Sequence, residues 1–61
     1  MRYKLFFINT DIARVVPSIS SDDLEDITDY AKDQLSRMNK DMIARIVYSK
    51  SYNLVKEIGR F

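Results

Sequence analysis

The apolar positions of the chain change period as the sequence is read. Over residues 2–8 aromatic and branched side chains dominate, and Tyr3, Leu5 and Phe7 share one face of a strand. Phe6 and Ile8 make the opposite face apolar too, which predicts a strand inside a sheet rather than at a half-wet edge. Asn9, Thr10 and Asp11 form a polar break that turns the chain, so residues 12–19 are expected to return as the second strand of a hairpin. Pro17 has no amide to give to a central ladder, so this strand lies at an edge or ends near Val16.

The period then lengthens. Leu24, Ile27, Ala31, Leu35 and Met38 follow one another at spacings of three and four, the stripe of an amphipathic helix. Ser20 is expected to be its N-cap, with Asp23 as the capping-box partner and Ile19 stapling onto Leu24. Asn39 is expected to end it in a left-handed conformation. Residues 41–49 return to β-forming composition, with Met42, Ala44, Ile46 and Tyr48 on one face and Ile43, Arg45 and Val47 on the other. Lys50 and Ser51 make a turn, and residues 52–61 supply a fourth strand antiparallel to the third. The expected fold is α+β, in the order ββαββ, with one helix packed on one face of a small antiparallel sheet.

No repeat or linker divides the sequence, so residues 1–61 read as a single domain. One helix covers one face of a sheet, whereas strands one and three are apolar on both. The second face therefore needs a cover. It pairs with its own copy as a homodimer, receives a partner protein, or is shielded by long side chains such as Arg45 and Lys56 lying over Phe6, Ile43 and Val47.

Composition narrows the function. At 61 residues the chain buries only about 60% of its unfolded surface, so its core is thin. It has no Cys and no His, which removes disulfides, thiol nucleophiles, the usual zinc ligands and the commonest general base. Its single Gly rules out Walker and GxGxxG loops. The expectation is a protein that is not an enzyme, needs no cofactor, and acts by binding another macromolecule. The longest apolar run, Leu5 to Ile8, is too short for a membrane helix, and the absence of Cys fits a reducing cytoplasm.

The net charge of +1 is small for a partner of phosphate backbones, but it is unevenly spread. Asp22, Asp23, Glu25, Asp26 and Asp29 crowd the helix start, while Lys32, Arg37 and Lys40 come later, the order favoured by the helix dipole. The acids lack EF-hand spacing and fall on a helix, so they read as dipole-complementing rather than metal-binding. Tyr3, Phe6, Tyr48 and Tyr52 beside Arg14, Arg45 and Lys56 suggest an alternative, a nucleic-acid-binding regulator that stacks bases on its sheet. No RNP-like motif accompanies them.

From Tyr30 onward the chain resembles the Dmd-like antitoxin family of T-even phages. The run that carries the resemblance is Tyr30, Ala31 and Gln34, then Met38, Asn39 and Lys40, a β-rich stretch, and a closing Val55, Glu57 and Arg60. It covers about half of the chain. The resemblance implies a phage anti-defence protein, acting in the host cytoplasm, that binds an RNase toxin of the RnlA or LsoA type and keeps RNA from its active site. It also implies that Tyr30 and Asn39 touch the partner, with Gln34 and Lys40 beside them. The family carries Trp where this sequence has Tyr30, and this sequence has no Trp. The same inhibitor role could be aimed at another host protein, such as RNA polymerase or a different defence system.

Overall fold

A computed structural model describes residues 1–59 of the chain. It contains β1 (Tyr3–Asn9), β2 (Arg14–Ser21), α1 (Leu24–Ser36), β3 (Met42–Tyr48) and β4 (Leu54–Ile58). The strands form one sheet in the order β2-β1-β3-β4, with every neighbouring pair antiparallel. The expected ββαββ, α+β arrangement is the observed one. The two strands that are apolar on both faces, β1 and β3, take the centre, and the strand holding Pro17 lies at an edge.

The β1–β3 register aligns Leu5 with Ile46 and Phe7 with Ala44, which places these four on one face. Against them α1 lays Ile27, Ala31 and Leu35, and Ile58 of β4 completes the buried cluster. Leu5, Ile27 and Ile46 are its largest fully buried side chains. Burying each of these is worth about 1.5–3 kcal/mol. Ala31 and Ala44 are also fully buried, and as the smallest residues of the cluster they let helix and sheet approach closely. Met38 packs on this core from beyond the end of the helix.

The second strand runs over 14–21 rather than the expected 12–19. The Asn9 side-chain oxygen accepts the amides of Asp11 and Ile12, at 3.0 and 3.4 Å, and tightens the turn. Ala13 follows with a φ of 54°, so Ile12 and Ala13 are spent on reversing the chain. At the far end Phe6 faces Pro17 while Lys4 faces Ser20, so Ser18 and Ile19 together oppose Leu5 in a bulge. The later start and this extra residue together carry β2 on to Ser21.

That extension overturns the expected helix start. Ser20 is paired within the sheet, and the N-cap is Asp23, whose carboxylate accepts the amides of Glu25 and Asp26 at 2.9 and 3.2 Å. With the cap at Asp23, the position that would hold a staple falls on polar Asp22, so Ile19 has no helix turn to clamp. The helix end also departs from expectation. Among the described residues only Ala13 and Tyr52 have a positive φ without being glycine, so Asn39 is not a left-handed terminator. The helix closes instead through i→i+3 bonds, from the amides of Arg37 and Met38 to the carbonyls of Gln34 and Leu35. Asn39 builds the connection to β3: its side-chain oxygen accepts the Asp41 amide at 3.1 Å and its carbonyl accepts the Met42 amide at 3.1 Å. The fourth strand is shorter than the expected 52–61, because Tyr52 and Asn53 belong to the turn, and Arg60 and Phe61 lie outside the described residues.

The two serine and aspartate assignments separate in a urea melt. Asp23→Ala is expected to cost about 1 kcal/mol through loss of the cap. Ser20→Ala is expected to stay within about 0.5 kcal/mol; the reverse ranking would restore Ser20 as the cap.

Candidate interaction surfaces

Helix α1 buries Ile27, Thr28, Ala31 and Leu35 against the sheet. Thr28 is the polar member of that stripe, and its hydroxyl is satisfied by donating to the Leu24 carbonyl at 2.7 Å. The exposed helical residues are Glu25, Asp26, Asp29, Lys32, Asp33, Ser36 and Tyr30. Tyr30 is therefore the one aromatic among charged and polar neighbours, with 36% of its surface exposed. Gln34 lies one turn further on, half-buried, in the i,i+4 relation that makes side chains neighbours on a helix surface. Asn39 and Lys40 are exposed in the connection to β3. Asn39 is occupied by its own turn, whereas Lys40 makes no ion pair among the described residues.

The face of the sheet away from the helix is organised differently. Phe6, Ile8, Val15, Arg45 and Val47 line a shallow groove there together with Tyr52. Val47 is only 5% exposed although it is not part of the helix-side core. The cover is Tyr52. It projects from the β3–β4 turn with a φ of 59°, a conformation that bulky residues rarely adopt. Its ring meets Phe6 edge-on, with centroids 6.3 Å apart. Its hydroxyl accepts a hydrogen bond from the Lys4 ammonium at 3.0 Å. That ammonium also lies 5.0 Å from the ring centroid, so the same cation holds both the hydroxyl and the ring.

Of the two long side chains expected to shield this face, Arg45 does lie on it, paired with Glu57 across the β3–β4 ladder at 3.5 Å. Lys56 does not. It lines a cleft with Leu24, Glu25 and Lys32 on the helix side, because its β3 partner is the core residue Ile46.

The four aromatics suggested as a stacking platform are divided between the two faces. Tyr3 and Tyr48 pair at one end of the helix side, with centroids 5.8 Å apart, while Phe6 and Tyr52 meet on the opposite face. Residues 3 and 6 have opposite parity on one strand, so a single platform cannot include both. Among the described residues no group of His, Cys, Asp or Glu is arranged to hold a metal ion, and no helix is long and apolar enough to cross a membrane. Comparison of the chain with protein-family models, curated proteins and solved structures found no match.

The role given to Tyr52 predicts a separable effect. Tyr52→Asn keeps a residue that tolerates positive φ but removes the ring. It is expected to cost about 1 kcal/mol and to raise the fluorescence of a dye that binds exposed apolar surface. Unchanged dye binding would show that Tyr52 does not cover the face.

Proposed function

We propose that this chain is a phage-encoded, antitoxin-like inhibitor that binds a bacterial RNase toxin and occludes its RNA-binding cleft. The contact surface is the outer side of α1 at Tyr30 and Gln34, continued by Asn39 and Lys40. The observation that carries the reading is Tyr30: an exposed aromatic with a polar tip, standing alone on an acidic helix. Side chains of this type anchor protein interfaces, because a large rigid area is buried at little entropic cost while the hydroxyl finds a partner.

Charge supports the mode of action. Glu25, Asp26, Asp29 and Asp33 are exposed on the same helix. A cleft that binds an RNA backbone is basic, so an acidic helix competes with phosphates for it and is steered towards it. Inhibition by occlusion is stoichiometric, requires no cofactor, and takes place where the toxin acts, in the host cytoplasm.

Purified toxins of the RnlA and LsoA types, titrated with the chain while RNA cleavage is followed, test this directly. Cleavage is expected to stop at one inhibitor per toxin active site. Tyr30→Ala should weaken binding by about 2 kcal/mol, roughly 30-fold, with little change in melting temperature. Full affinity in that variant would remove Tyr30 from the contact surface, and failure to bind either toxin would overturn the target. Lys40→Ala should weaken the complex more at low than at high salt, as expected for a charge at an interface rim.

A further inference from the structure

At one end of the sheet Tyr3 is paired with Ser21 on one side and Tyr48 on the other. The start of β1, the end of β2 and the end of β3 therefore meet at one corner. The amide of Ser49 donates to the Arg2 carbonyl at 2.9 Å, and the amide of Arg2 donates to the Asp22 carboxylate at 2.9 Å, which fixes the corner. Between these segments is a cleft of about 730 Å³. That volume is within the range of small-molecule sites.

Three features of the cleft point to the chemistry of an occupant. Tyr3 and Tyr48 both line it, their rings are mutually tilted by 33°, and Tyr48 is 48% exposed, which leaves aromatic surface open to stacking. Arg2 and Lys50 also line it, and neither side chain makes an ion pair among the described residues. The Ser49 hydroxyl is buried with no hydrogen-bond partner among the described residues, an unmet group of a kind that folded proteins seldom keep. A planar ring system joined to an anion satisfies the first two features together. Turning the Ser49 side chain out of its buried position towards a sugar oxygen would satisfy the third.

We propose that this cleft binds a purine nucleoside monophosphate group, its base stacked on Tyr48 and its phosphate held by Arg2 and Lys50. The Asp22 carboxylate on the cleft wall favours one phosphate over a chain of three. The site is distinct from the Tyr30 surface and does not depend on the function proposed for it. The ligand is either a free nucleotide or the phosphorylated 5′ end of an RNA, which present the same chemistry.

The test is an NMR titration of the isotope-labelled chain with AMP, adenosine, inorganic phosphate, and a short RNA with or without a 5′-phosphate. AMP is expected to give saturable shifts at the amides of Arg2, Tyr3, Tyr48, Ser49 and Lys50, and none at Ile8. Adenosine and phosphate alone are each expected to bind at least about tenfold more weakly. Tyr48→Ala should lose about tenfold in AMP affinity, Tyr48→Phe should keep it, and Lys50→Gln should bring AMP down to the level of adenosine. ATP should bind no more tightly than AMP. Tighter binding of the 5′-phosphorylated RNA than of AMP, lost in Tyr48→Ala, identifies the RNA end; equal or weaker binding identifies the free nucleotide. Absence of saturable shifts in the cleft with millimolar AMP, or an AMP affinity in Tyr48→Ala and Lys50→Gln unchanged from that of the parent chain, overturns the proposal.

Discussion

A single helix can shelter only one side of a four-stranded sheet, and in this chain both sides of the two central strands are apolar. The helix-side core is built from Leu5, Phe7, Ala44 and Ile46 against Ile27, Ala31 and Leu35. The other side has no second helix, so the chain uses its own turn. Tyr52 lies over Phe6 and is held there by Lys4. The left-handed backbone at Tyr52 is the conformational cost of aiming one ring back across the sheet.

The same constraint assigns the surfaces. α1 closes one side of the sheet and Tyr52 covers part of the other, where Val15 stays exposed, while the outer side of the helix is a surface that the core does not use. Its acids serve the helix dipole, but a dipole does not require Tyr30 to stand exposed among them. Tyr30, with 36% of its surface exposed, is a candidate for recognition, and Gln34 and Lys40 extend its surface. Asn39 differs from them, since its side chain holds the turn into β3. Replacing Asn39 therefore disturbs the turn as well as any contact, whereas Lys40 makes no ion pair among the described residues that its replacement would break.

Much of this was legible in the sequence because periodicity reports burial. The alternation of Tyr3, Leu5 and Phe7 and the three-and-four spacing from Leu24 to Leu35 are enough to place the helix-side core. Pro17 placed its strand at an edge. What was not legible is the longer turn at Ile12 and Ala13 and the bulge at Ser18 and Ile19, which together carry β2 on to Ser21 and leave Asp23, not Ser20, as the cap. The cover of the second face was missed for a related reason. Nothing in the residues around Tyr52 announces a positive φ, and only that backbone turns the ring towards Phe6. The separation of Tyr3 from Phe6, by contrast, follows from parity alone and is legible at positions 3 and 6.

The most direct test of the account is the footprint of a purified RnlA-type or LsoA-type toxin on the isotope-labelled chain. If the outer side of α1 is the contact surface, NMR signals of Tyr30, Gln34, Asn39 and Lys40 shift or broaden at equimolar toxin, while those of Phe6, Val47 and Tyr52 stay in place. A footprint confined to Phe6, Val47 and Tyr52 would contradict it, because the partner would then be the missing cover of the sheet and the acidic helix would be a bystander.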